Sequence, residues 1–331
     1  MNESPSRVSH RRLNTASLPA AAGRFSRFPL SPLGAPQRAA GRLGLLACGF
    51  VLLSGLPAPR LAAADPASAS PPAETLADRT LRDIAARQNE LFARAEKDGE
   101  QFDEALFHGE AQSIASSYDI LLQKNPDFAT AYAAYGVFLG KVGMTRQAVA
   151  MLLKANKLDP NIATVKNQIA KHLAEDGKPL EALPWLMSAI DLAPKEPLYH
   201  YNLGQLLLTG RENFLTSGEF TRAGLDKAML GAFQRAAELS PADLSLAYQY
   251  AKAFYELDPP RWDEALEVWN KLADRPVTTT MRQLVRLQRA NVLLKLGRRE
   301  EAHTELDGIT DPKLADEKKT LLDQLAPKVE K

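Results

Sequence analysis

Side chains able to do covalent or metal chemistry are sparse in this chain of 331 residues. Its single cysteine, Cys48, excludes a disulfide framework and a Cys-rich zinc site. His108 and His303 fall at positions that read as helix surface, while His172 and His200 fall inside apolar helical patterns as core or groove residues. Glu264 and Glu267 lie along a helix face, where solvation accounts for them. No H-E-x-x-H, G-x-S-x-G, G-x-G-x-x-G or P-loop occurs, so zinc hydrolysis, acyl transfer and phosphate cradling all lack their residues. The expectation is a non-enzyme with no catalytic residue, no metal and no cofactor. One refuge remains for a catalytic or small-ligand site, an insertion at Arg211–Gly224 taken up below. What the residue types do allow is hydrogen bonding by amides and broad contact by tyrosines.

The elements that must position those groups are helical. Alanine and leucine, both strong helix formers, are the commonest residues, which argues against a β-sandwich or barrel. Hydrophobic residues at 45% and charged residues at 24% are values of an ordinary folded chain. The net charge of +1 conceals two opposite parts. Residues 1–64 carry eight arginines and one acid, Glu3, whereas residues 65–331 hold 33 basic and 39 acidic residues. An acidic body without a basic stripe of interleaved aromatics is not expected to bind nucleic acid.

Residues 1–64 read as a targeting segment. Arg42 precedes the apolar run Leu43–Leu56, which is shorter than the roughly 20 residues a membrane-spanning helix needs and suits a signal-peptide core. Ala62-Ala63-Ala64 then offers a small-residue cleavage site before Asp65. Export to a periplasm or beyond is expected, with no stable membrane span after cleavage. An uncleaved membrane anchor and an organelle lumen are the alternatives. Residues 65–74 (DPASASPPAE) form a Pro/Ala/Ser linker.

Apolar spacings of three and four predict amphipathic helices over 75–97 and 102–124, within an N-terminal part spanning 75–125. A repeat follows. Pro126, Pro160 and Pro194 are separated by 34 residues each time, and Pro241 lies 34 plus an insertion of 13 further on. In the first full unit Tyr132, Tyr135, Gly136 and Leu139 share one face, Gly143 marks a turn, and Ala148, Leu152 and Ala155 face back. Small residues sit where two backbones approach, and large ones fill the space around them. The next units keep Ala170, Ala182 and Leu186, then Gly204 and Phe233, then Ala251, Ala265 and Trp269, then Ala290, Ala302 and Leu306.

This pattern resembles the tetratricopeptide repeat family over residues 126–310, with residues 311–331 as a capping helix whose outer side is polar. Arg289 departs from it, standing where the family usually has a large apolar residue. The resemblance implies an all-α fold, a right-handed α-solenoid of helix-turn-helix repeats that binds a protein or peptide partner in a concave groove lined by first helices. The residues placed in that groove are Asn167, Lys171, Tyr201, Asn202, Gln205, Tyr248, Gln249, Lys252 and Tyr255. Amides can pair with an extended backbone, and tyrosines offer large area with few rotamers to freeze. The carboxylate clamp of the chaperone-docking members is absent, since Ala133 and Val137 occupy two of its positions.

The function expected is therefore a scaffold or adaptor, or alternatively an assembly factor for an envelope secretion or polysaccharide-export complex. Arg211–Gly224 is expected to project as a loop, with Phe214 and Phe220 exposed for recognition or tucked onto the third unit. A lengthened surface loop costs little entropy, so its deletion should leave the fold intact.

Overall fold

The computed structural model describes residues 74–98, 103–275 and 277–325. The targeting segment, residues 65–73 of the linker and the last six residues lie outside these. Among the described residues there are fourteen α-helices and no strand. The chain is an all-α solenoid.

An N-terminal pair, α1 (Leu76–Asp98) and α2 (Glu104–Lys124), opens the array. Thr75 and Asp78 cap α1 reciprocally, each side-chain oxygen accepting from the other's backbone N–H at 3.1 Å. Five helix pairs follow, each a first helix packed on a second: α3 (Ala129–Lys141) on α4 (Thr145–Leu158), and α5 (Ala163–Glu175) on α6 (Pro179–Leu192). Next, α7 (Pro197–Thr209) packs on α9 (Arg222–Leu239), with a short α8 (Arg211–Thr216) between them in sequence. Then α10 (Leu244–Ala253) packs on α11 (Trp262–Ala273), and α12 (Thr279–Lys295) on α13 (Arg299–Asp307). Each second helix also touches the first helix of the following pair, which makes the array continuous.

The repeat period has a local cause at each joint. Gly143, Gly177 and Gly297 sit at the turn inside their units with φ of +83°, +74° and +74°, a backbone region that L side chains rarely adopt. Repeat 3 has Arg211 where that glycine belongs, so the chain continues into α8 instead of turning. Gly218, at φ +76°, supplies the delayed turn.

Within the pairs, equivalent residues of every second helix are buried: Ala148, Leu152 and Ala155; Ala182, Leu186 and Ala189; Met229, Phe233 and Ala236; Ala265, Trp269 and Leu272; and Ala302 and Leu306, with Ile309 just beyond the end of α13. Burying a Leu or Phe side chain fully contributes roughly 1.5–3 kcal/mol, so this seam is the main apolar stabilisation of each unit. The seam is tight at the first-helix glycines. A Cβ on Gly136 would lie 2.7 Å from Leu152 Cγ, and one on Gly204 would lie 2.8 Å from the Phe233 ring.

The array is closed by α14 (Ala315–Leu325), which follows a 3₁₀ turn at Pro312–Leu314. Leu314 and Leu321 bury against Leu287, Leu306 and Ile309, while Asp316, Glu317, Lys319 and Asp323 face outward. This is the polar termination a stacked array needs.

The structure corrects the expectation for Arg211–Gly224. It is not a projecting loop. Residues 211–216 are helical, and the second helix of the unit begins at Arg222. Phe214 is completely buried and meets Phe220 edge-on, with ring centroids 5.1 Å apart. The physical reason is that α8 packs on α6 and α7, and Gly210 before it lies so close to Pro179 that a Cβ would be 2.6 Å from its ring.

Candidate protein-binding face of the first helices

The face in question is carried by α5, α7 and α10. A first helix packs one side on its own second helix and another on the preceding second helix, which leaves its remaining polar positions to form a wall. Asn167 lies in α5 and is only 2% exposed. Its Oδ1 accepts a 2.8 Å hydrogen bond from Asn202 Nδ2 on α7. The structure therefore corrects its role. Adjacent first helices approach closely enough for the two amides to pair, so Asn167 is spent on positioning Asn202 and is not open to a partner.

On α7, Gln205 Nε2 donates to Tyr201 Oη at 3.0 Å, and the Tyr201 ring meets Phe233 edge-on at 5.8 Å. On α10, Tyr248 stands edge-on to Trp269 at 5.2 Å, and burial raises its phenol pKa. Gln249 is half-buried beside it. Tyr255 lies beyond α10, in a 3₁₀ turn at Phe254–Glu256, and its hydroxyl donates to the Gln288 carbonyl at 3.1 Å. That bond ties it to α12 and removes its polar tip from the face. Lys171 and Lys252 are exposed at equivalent positions of α5 and α10. Lys171 Nζ lies 3.5 Å from Glu175 Oε1, and Lys252 makes no ion pair among the described residues.

Of the nine residues placed in the groove by sequence, seven keep a half-buried or exposed side chain with its polar group available or locally oriented. Asn167 and the Tyr255 hydroxyl are consumed within the fold. The result is a wall of amides and tyrosines in which Asn202, Tyr201, Gln205 and Tyr248 are held by neighbours.

His172 and His200 are tied into local hydrogen bonds. His172 is 4% exposed, its Nδ1 lies 3.2 Å from Glu175 Oε2, and it packs directly on Gly140. That hydrogen bond is the main cause lowering the pKa of Glu175, which burial opposes. His200 is half-exposed and not fully packed, and its Nε2 donates to the Pro194 carbonyl at 2.9 Å. Among the described residues no group of three His, Cys, Asp or Glu side chains could hold a metal ion, and no helix is long and apolar enough to cross a membrane.

Two polar features escaped the sequence reading. The first is a clasp around Asp226, which is 6% exposed. Its carboxylate accepts from Arg222 Nε at 2.9 and 3.0 Å, from Arg211 Nη2 at 3.3 Å and from the Asp258 N–H at 3.0 Å. Both arginines also donate to the Glu256 carbonyl, at 3.2 and 2.8 Å. Only the Arg222–Asp226 spacing of four residues hinted at it. The second is the Arg289–Glu305 pair, Nη1 to Oε1 at 3.0 Å. Residues equivalent to Arg289 in the earlier units are Tyr135, Ile169, Leu203 and Tyr250. Those equivalent to Glu305 are Met151, Trp185, Ala232 and Val268. A cavity of about 240 Å³ lies beside the pair, lined also by Leu266, Asn270 and Arg298.

No protein-family model matches the sequence, and no curated protein does. Solved structures are similar to it at low identity. A structure titled "Crystal structure of YrrB: a TPR protein with an unusual peptide-binding site" is 20% identical, with a TM-score of 0.47 over 59% of this chain and 91% of that one. PilF of Pseudomonas aeruginosa is 17% identical, with a TM-score of 0.47 over 73% of this chain and 99% of that one. MamA of Desulfovibrio magneticus RS-1 is 18% identical, with a TM-score of 0.41 over 57% and 94%.

Proposed function

We propose that the chain is a non-enzymatic scaffold of the tetratricopeptide type that holds an extended segment of a partner protein against its first helices. The observation that carries this reading is the set of locally fixed amides and tyrosines on α7 and α10, with Asn202 held by Asn167 and Tyr201 by Gln205. Preorganised groups lose little entropy when they bind, so such a wall favours association without needing a large area.

The test places a photo-crosslinking amino acid at Gln205 or Gln249, and in a control at Met187, an exposed residue of the second helix α6. Crosslinks to a discrete partner from Gln205 and Gln249 but not from Met187 are expected. Capture through Met187 alone, or from no position, overturns the reading. A large envelope complex captured at the first-helix positions makes the protein an assembly factor for it.

Export belongs to the same proposal. The apolar run Leu43–Leu56 directs the chain across a membrane and cleavage follows Ala64. N-terminal sequencing of the mature protein should begin at Asp65. A mature chain that retains Leu43–Leu56 refutes this.

A further inference from the structure

Charge is unevenly shared between the two kinds of helix. The five first helices carry eight lysines and arginines against one acid, Glu175. The five second helices carry eight against eleven acids. Some first-helix cations are engaged in packing: Lys166 donates to Asn156 Oδ1 over the Trp185 ring, Arg289 pairs with Glu305, and Arg286 packs on Gly308.

Arg282, exposed near the start of α12, and four lysines remain, and the lysines occur as two pairs of equivalent positions. Lys171 and Lys252 are each the ninth residue counted from the start of α5 and α10. Lys141 ends α3 and Lys295 ends α12, each five residues beyond the small residue, Gly136 or Ala290, that marks the same point of its unit. Lys252 and Lys295 are exposed and have no carboxylate partner among the described residues. Lys141 lies over the Phe92 ring at 5.0 Å, and burial together with the nearby Lys171 lowers its pKa. Glu175, the one acid at hand, is shared between Lys171 and His172. The face thus carries positive charge that the fold does not neutralise, on a body whose residues 65–331 are net acidic.

We propose that the segment bound on the first-helix face is an acidic stretch of protein, its carboxylates meeting Lys171 and Lys252 on either side of the neutral tyrosine and amide wall of α7. The inference rests on the groove reading above. Neighbouring packed helices lie roughly 8–10 Å apart; α5 touches α7, and α9 packs against both α7 and α10, so the span from α5 to α10 is on the order of 20 Å. An extended chain spans that distance in about six residues at roughly 3.3 Å each. Nucleic acid is the less suitable occupant, because the tyrosine rings here stand against Phe233 and Trp269 and do not present free stacking faces.

The test uses the whole protein and fluorescein-labelled ten-residue probes: a Glu/Ser peptide, a Gln/Ser peptide, a Lys/Ser peptide and a single-stranded decanucleotide. Fluorescence anisotropy should show the Glu/Ser peptide binding at least tenfold tighter than the Gln/Ser peptide at 50 mM salt, with most of that margin lost at 300 mM. Lys171→Glu/Lys252→Glu should reduce its affinity at least tenfold, and Lys157→Glu/Lys227→Glu, exposed on second helices, should not. Equal binding of the Gln/Ser peptide, or an unaffected Lys171→Glu/Lys252→Glu variant, overturns the acidic partner and leaves the groove reading standing. Tighter binding of the decanucleotide overturns it in favour of nucleic acid. No peptide binding at millimolar concentration overturns both readings.

Discussion

Gly136→Leu should melt well below the parent protein. A Cβ at Gly136 already falls 2.7 Å from Leu152 Cγ, 3.0 Å from its Cδ2 and 3.1 Å from the Ala148 carbonyl oxygen. Cγ is not the mobile tip of a side chain and the carbonyl is backbone, so neither neighbour can yield by rotation alone. The helices α3 and α4 must separate, and overpacking of this kind costs roughly 3 kcal/mol. At that cost a domain of this size loses roughly 6–12 °C. Gly109→Leu is the matched control, since Gly109 in α2 is exposed and a Cβ there would meet nothing within 4 Å. Amide exchange should rise first in α3 and α4, because each unit touches only its neighbours. Identical melting of the two variants would sink the register in which α3 and α4 meet at Gly136.

Asp226→Ala should be at least as damaging. The substitution leaves Arg211, whose side chain is 13% exposed, and Arg222 with Glu256 as their remaining partner, and takes the acceptor from the Asp258 N–H. Removing one partner of a buried ion pair costs roughly 3–5 kcal/mol, because the surviving charge is left desolvated. Urea titration followed by circular dichroism reads this directly. Asp226→Asn, which keeps the shape and one acceptor, should fall between the two. Replacing Arg211–Gly224 with a short turn removes both arginines and the buried Phe214, so it too should lower the midpoint. Urea midpoints unchanged in all three variants would refute the clasp.

The helical pairs and their order were legible because the 34-residue period repeats small, large and turn residues at fixed offsets. Ala148, Leu152 and Ala155 announce a seam, and Gly143, Gly177 and Gly297 announce turns, without knowledge of any distant contact. The insertion stood outside that period, so nothing in its own composition distinguished exposed phenylalanines from buried ones. Its burial depends on α6, and on Asp226, Glu256 and Asp258, which are brought to it only by the stack. Asn167 illustrates the same limit on the binding face. Periodicity assigns it to the first-helix face, yet whether its amide meets a partner or Asn202 depends on how closely two first helices approach. Arg289 was visible as an exception, and its partner Glu305 was not, because ion pairing across two helices leaves no mark on either one's apolar spacing.

The Asp226 clasp also bears on how such a chain can change over evolutionary time. Arrays of equal units lengthen and shorten by recombination, since a copied or lost unit meets the same kind of neighbour as before. Here the Asp226 carboxylate of one unit accepts from the Asp258 N–H of the next, and the two arginines beside it donate to the Glu256 carbonyl of that next unit. A crossover between them would leave the arginines and the carboxylate of one unit without the backbone partners that the next supplies. The third and fourth units are therefore expected to be inherited as a single block, with variation in unit number confined to the segments on either side of it.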